Sequence, residues 1–262
     1  MDFTLKNRYT LEDLFKVMEI LRSENGCMWD RAQDHQSIRR NFIEEVYEVC
    51  EAIDTDNSEL LKEELGDVLF QVVFHAEIEK EKGVFDINDV ADGICKKMIY
   101  RHPHVFGSVT VSETEEILDN WDALKMTEKH QESATDTLNS VARTLPSLIR
   151  AEKIQSKAAK SGFEWPTIQD ALRKVREELD EVERAISGDG DIAEEIGDLL
   201  FATAKVARFA EVDSERALEQ TCEKFIRRFS YVESAAEAQG KPMNALSLDE
   251  MTELWNEGKT KA

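Results

Sequence analysis

Apolar residues recur along most of this chain at helical spacing. Leu65, Leu69, Val72 and Val73 fall at i, i+4, i+7 and i+8, and Leu199, Leu200 and Thr203 recur in the same way later. Leu218, Cys222, Phe225, Phe229 and Val232 mark a further stripe. No stretch alternates at period two, and four prolines with eleven glycines leave few interruptions. The pattern predicts an all-α chain. It is broken between Met126 and Leu145, where the residues are polar and weakly periodic and Pro146 follows. The expected organisation is an N-terminal repeat over 1–125, a linker over 126–146 and a C-terminal repeat over 147–262.

The two halves share an internal duplication. Residues 44–53 read EEVYEVCEAI and residues 177–186 read EELDEVERAI; residues 63–70 read EELGDVLF and residues 194–201 read EEIGDLLF. The register offset is 133 in the first block and 131 in the second, as a difference confined to the connection requires. Lys97 and Arg101 match Lys224 and Arg228, and Trp121 and Lys125 match Trp255 and Lys259. Each tryptophan follows a capping-box signature, Ser112 with Glu115 and Ser247 with Glu250.

The repeated carboxylates carry the chemistry. Glu45 and Glu48 share a helix face, as do Glu64 and Asp67 on the next helix. A short connection through Asp54, Asn57 and Ser58 would make these helices antiparallel neighbours, so that four acids converge. A glutamate-rich helix is usually a solvated face. Here, with Glu64 at the origin, Asp67 falls at about 300° and Gln71 at about 340°. Val68, Val72, Leu65, Leu69, Val73, Phe70 and Phe74 fill the remainder. A helix apolar around most of its circumference is expected to be buried, and two buried acids without a counter-charge are costly. A cation resolves the conflict. Oxygen-only ligands select a hard ion, Mg²⁺ first and Mn²⁺ as a substitute. Glu178, Glu181, Glu195 and Asp198 repeat the layout.

Charge narrows the partners. Thirty-three basic against 55 acidic residues give a formal net charge of −22, which argues against nucleic acid polymers and anionic membranes. The four cysteines, Cys27, Cys50, Cys95 and Cys222, lack disulfide-scaffold or zinc-site spacing and read as buried small residues. His75 reads as a core-edge histidine, and His102 and His104 as structural residues around Pro103. The N-terminal residues lack a signal-peptide core, and no run approaches the ~18 apolar residues of a membrane span. A cytoplasmic protein is the expectation.

EExxE followed after 13 to 15 residues by ExxD, twice over, resembles the MazG nucleoside triphosphate pyrophosphohydrolases of the all-α NTP pyrophosphatase superfamily. GCMWDRAQ at 26–33, RHPHVF at 101–106, SLIRAEKIQSKAAKSGFEW at 147–165 and WNEGK at 255–259 extend the likeness over nearly the whole chain. Met28 departs from the proline usual in that family after Gly-Cys. The resemblance implies two α-helical bundle modules and a homodimer. It also implies Mg²⁺-dependent hydrolysis of NTPs and dNTPs to monophosphate and pyrophosphate with little base selectivity, a nucleotide-pool housecleaning activity.

Carried over by position, Glu178, Glu181, Glu195 and Asp198 are metal ligands, and Glu45, Glu48, Glu64 and Asp67 are their first-repeat equivalents. Lys174, Glu177, Glu178, Lys224, Arg228, Trp255 and Lys259 surround the nucleotide, while Lys97, Arg101, Trp121 and Lys125 would form a second substrate site. The resemblance implies that the C-terminal repeat is the main catalytic copy, and Asn41, standing where that copy has Lys174, offers a physical clue to the difference. Glu178 and Glu177 are the expected catalytic residues, Glu177 orienting or deprotonating a water for in-line attack. Two alternatives stay open: a metal-dependent nucleotide-binding regulatory protein, and a pyrophosphohydrolase selective for one modified or deoxy nucleotide.

Overall fold

The computed structural model describes residues 3–109 and 133–261. It divides into two compact units, Met1–Leu124 and Lys125–Ala262. Among the described residues all regular structure is helical, as the spacing predicts, and no helix is long and apolar enough to cross a membrane.

The first unit contains α1 (Leu11–Arg22), α2 (Met28–Ala32), α3 (Arg39–Asp54), α4 (Ser58–Glu81), α5 (Ile87–Arg101) and α6 (Pro103–Phe106). A capping box opens α1: the Thr10 hydroxyl accepts from the Asp13 backbone N–H, and the Asp13 carboxylate accepts from that of Thr10. The connection from α3 to α4 is tight. Asp56 takes the left-handed conformation (φ 52°), which acidic and amide side chains tolerate better than most. The Asn57 side chain then caps α4 by accepting from the Leu60 N–H. The two helices are therefore antiparallel neighbours.

Met18, Ile38, Val73, Phe74 and Ile78 form the core of this unit, with Leu14, Phe15, Phe70 and Ile87 packed around them. Burial of α4 is thus uneven. Gln71, Val73, Phe74, Ala76 and Ile78 are buried, but Leu65 is 50% and Leu69 38% exposed. The expectation that α4 is buried throughout fails for its first half, because the apolar core that α1, Ile38 and Ile87 build against the helix takes in residues 70–78 of it.

The second unit contains α7 (Ala134–Asn139), α8 (Ser147–Lys160), α9 (Ile168–Ile186), α10 (Ile192–Phe209), α11 (Ser214–Ala238), a 3₁₀ turn (Met243–Ala245) and α12 (Leu248–Lys261). Helix α7 lies within the stretch read as a linker, begins at a Ser133/Asp136 capping box and packs on α8. Two glycines with positive φ, Gly188 (97°) and Gly190 (130°), turn the chain from α9 into α10. Asp191 caps α10 by accepting from the Ala193 N–H. Helix α4 begins about one turn earlier relative to its ExxD motif than α10 does, which accounts for the shorter second connection between motifs. Val232, Ala236, Leu246 and Leu254 form the core where α11 meets α12, flanked by Met243, Met251 and Trp255. Ser247 and Glu250 make the reciprocal capping contacts their spacing predicts. Ser112, Glu115, Trp121 and Lys125 lie outside the described residues.

The cysteines are not buried as expected. Cys50, Cys95 and Cys222 are exposed, Cys27 is partly so, and all four are free. Cys50 shares a face of α3 with Ile43, Val46 and Ile53, and Cys222 shares one of α11 with Leu218, Phe225 and Phe229. Those apolar side chains are themselves exposed within a single chain.

His75 sits at the edge of the core, as read from the sequence, but it has a partner the sequence does not reveal. Its Nδ1 lies 2.7 Å from Nδ1 of His35, whose Nε2 lies 2.6 Å from Glu79; the two rings stack. Lys82 also binds Glu79, at 2.6 Å. Burial first, and the charge of His35 second, push the His75 imidazole below the ordinary histidine value. The native state therefore binds fewer protons at this residue than the unfolded chain does. Its contribution to stability is complete above the ordinary value of 6.5 and is lost as pH falls through it. Urea denaturation of wild type should give a lower midpoint at pH 5.5 than at pH 7.5, and His75→Gln should reduce that difference. An unchanged difference in the variant would contradict this reading.

Candidate metal centre

Helices α3 and α4 bring one carboxylate oxygen each from Glu45, Glu48 and Glu64 within 4.8 Å of one another. Helices α9 and α10 do the same with Glu178, Glu181 and Glu195. The i, i+3 spacing places two acids on one helix, the tight turn brings the next helix alongside, and the third acid faces them. Asp67 and Asp198, the fourth expected members, are exposed and stand outside these trios, one helical turn beyond Glu64 and Glu195. Both are near enough for their charges to act on the glutamates.

The electrostatics follow from that crowding. Burial raises the Glu45 carboxyl above the ordinary glutamate value, reinforced by its hydrogen bond to Glu48 and by Asp67, Glu48 and Glu64. Glu64 is raised by burial and then by the charges of Glu48 and Asp67. In the second unit Glu195 is raised by burial, then by Glu181, Asp198, Glu194 and Glu178. Partly buried carboxylates held against one another favour a proton or a cation between them. An all-oxygen donor set fits a hard divalent ion. The turn before α10 is close by: a Cβ at Gly190 would lie 3.6 Å from Glu195 Oε1.

Cations surround the two trios differently. Lys174 Nζ lies 2.7 Å from Glu177 and 2.7 Å from Glu178, and Glu178 is buried. Those carboxylates hold the Lys174 ammonium above the ordinary lysine value. Glu177 stands outside the trio and meets it through Lys174. Arg184, which sequence reasoning missed, lies 3.0 Å from Glu181; its i, i+3 spacing was the available signal. In the first unit Arg40 pairs with Glu44 at 2.8 Å, the counterpart of Glu177, and not with the trio.

The remaining expected substrate residues gather on α11 and α12. The Arg228 guanidinium lies 5.8 Å from the Trp255 ring centroid, and Phe225 packs 4.9 Å from the same ring. Phe225, Phe229, Trp255 and Met251 border an apolar cavity of about 250 Å³. Lys224 is exposed, and Lys259 bonds Asn256 at 2.7 Å. Among the described residues no ion pair joins Lys224, Arg228 or Lys259 to the carboxylate trio. In the first unit Lys97 is exposed, whereas Arg101 is buried as the last residue of α5, where Pro103 stops the helix. Arg228 lies instead within the long α11. His102 Nδ1 donates to the Met98 carbonyl at 2.6 Å, a local structural role for that histidine.

The sequence profile of the MazG nucleotide pyrophosphohydrolase domain matches residues 33–106 and 167–232, and those two matches contain the two carboxylate trios. The chain belongs to the MazG family. Its MazG relatives include the nucleoside triphosphate pyrophosphohydrolase of Escherichia coli K12, 41% identical over 95% of this chain and 97% of that protein. The nucleoside triphosphate pyrophosphohydrolase/pyrophosphatase MazG of Thermotoga maritima is 40% identical over 95% of each chain. Protein YabN of Bacillus subtilis is 46% identical over 93% of this chain and half of its own length.

For this MazG chain the raised glutamates fix the sign of a pH effect. An acid whose folded value lies above its unfolded value destabilises the fold as pH rises through the ordinary 4.5. A divalent ion that binds only the folded state opposes that loss. Melting temperature should rise by a few degrees when Mg²⁺ is added near neutrality and by less near pH 5. A Mg²⁺ effect independent of pH would contradict the assignment.

Proposed function

We propose that this chain hydrolyses nucleoside triphosphates to monophosphate and pyrophosphate in a Mg²⁺-dependent reaction at the second-repeat trio. The observation that carries this reading is the set Glu178, Glu181 and Glu195 with Lys174 beside it. It occurs in a chain 41% identical over 95% of its length to a named nucleoside triphosphate pyrophosphohydrolase. Glu178, Glu181, Glu195 and Asp198 would hold the ion, with Mn²⁺ as a substitute for Mg²⁺. When bound, it would neutralise phosphate oxygens and acidify a water.

The protein's own groups do the rest. Glu177, solvent-exposed and paired with Lys174, would orient the attacking water or take its proton. Lys174, Lys224, Arg228 and Lys259 would neutralise phosphate oxygens as charge shifts to the departing pyrophosphate. Trp255 offers a flat aromatic face, and stacking on such a face is tolerant of base identity. That favours broad acceptance of NTPs and dNTPs, as a housecleaning role requires.

Two features support finer readings. The first trio lacks a counterpart of Lys174, which favours metal or nucleotide binding there with little turnover. Exposed Leu179, Ile186, Ile196 and Leu200 on α9 and α10, with Val46, Tyr47 and Leu65 on α3 and α4, favour a homodimer that covers them.

Chromatography of each common NTP and dNTP incubated with protein and Mg²⁺ should show monophosphate and pyrophosphate. Diphosphate with inorganic phosphate would contradict the proposal, and unchanged nucleotide with measurable binding would favour a sensor. Glu178→Ala should lower kcat by about a hundredfold or more, whereas Glu45→Ala should leave most turnover intact. A wild-type rate for Glu178→Ala would remove the second trio from the reaction.

A further inference from the structure

The two trios are near copies in carboxylates and opposites in the cations that contact them. In the second unit Lys174 binds Glu178 at 2.7 Å and Arg184 binds Glu181 at 3.0 Å, so two of the three carboxylates carry a side-chain cation. The repeat register puts Asn41 opposite Lys174 and Glu51 opposite Arg184. Arg40, the nearby cation of the first repeat, turns to Glu44 outside the trio. Among the described residues no ion pair reaches Glu45, Glu48 or Glu64.

A cation that binds a carboxylate competes with any other cation for the same oxygens. Glu178 is buried, so its pair with Lys174 is screened less than a surface pair would be. We infer that Lys174 and Arg184 compete with the divalent ion for Glu178 and Glu181, so that the second trio fills from a metal–nucleotide complex while the first binds a divalent ion alone. This deepens the pyrophosphohydrolase reading and rests on it for the second trio. Arrival of the ion with its polyphosphate would displace Lys174 from Glu178 toward the phosphate oxygens, exchanging one anionic partner for another. Among the described residues the first trio has no ion-paired cation to displace, and Asn41 stands where the second has Lys174. It is a standing metal site.

The test is nucleotide-free titration of the full chain with Mn²⁺, read by electron paramagnetic resonance and calorimetry. Wild type should show a tighter class of sites that Glu45→Ala removes and a weaker class that Glu195→Ala removes. Lys174→Asn should tighten the weaker class roughly fivefold or more, and Lys174→Arg should leave it weak. Asn41→Lys should weaken the tighter class by a similar factor, which tests the same competition if Lys174→Asn fails to fold. Equal affinity of the two classes in wild type, or Mn²⁺ affinities unmoved by both Lys174→Asn and Asn41→Lys, would overturn the competition. That result would stand apart from the reaction itself: wild type releasing pyrophosphate with unmoved Mn²⁺ affinities refutes the competition alone, whereas wild type releasing none refutes the pyrophosphohydrolase reading.

Discussion

Mutual repulsion among carboxylates is the interaction around which each repeat is organised. Three glutamate oxygens within 4.8 Å of one another, partly withdrawn from water, cost the fold free energy as they ionise. The chain holds them there twice. The helix pair that does so is simple: an i, i+3 pair on one helix, a tight turn, and a third glutamate on the antiparallel return. Asp56 and Asn57 make that turn in the first unit, and Gly188, Gly190 and Asp191 make it in the second. Different turn chemistry reaches the same juxtaposition.

What relieves the repulsion differs between the units. Lys174 and Arg184 each lie on a glutamate of the second trio, while among the described residues no cation pairs with the first. A polyphosphate substrate would bring more negative charge, and among the described residues only the second trio has a lysine paired with it. The chain's formal charge of −22 acts in the same direction at long range. Under the proposed function, monomeric nucleotides carried with a divalent ion would suit such a surface better than polymeric polyanions.

Much of this was legible in the sequence. Helical period and the EExxE/ExxD spacing led directly to the α3–α4 and α9–α10 pairs, because local backbone geometry determines which residues share a helix face. The Ser247/Glu250 cap was legible for the same reason. Burial was not: the all-round apolar pattern of α4 predicts a buried helix, but Leu65 and Leu69 are exposed because the apolar core takes in residues 70–78 of the helix. Cys50 and Cys222 were misread on the same ground, lying on apolar faces that a single chain leaves open. The His35–His75–Glu79 chain depends on a loop residue meeting a helix forty positions later, which no local pattern encodes. Arg184 was legible in spacing but lacked a first-repeat counterpart to draw attention to it.

The central claim is that the paired glutamates are where a divalent ion binds. Anomalous scattering from crystals of the full chain grown with Mn²⁺ tests it most directly. The account predicts manganese peaks within coordination distance of Glu45, Glu48 and Glu64 and, with nucleotide present, of Glu178, Glu181 and Glu195. Manganese found only elsewhere, with both trios free of it, would contradict the account.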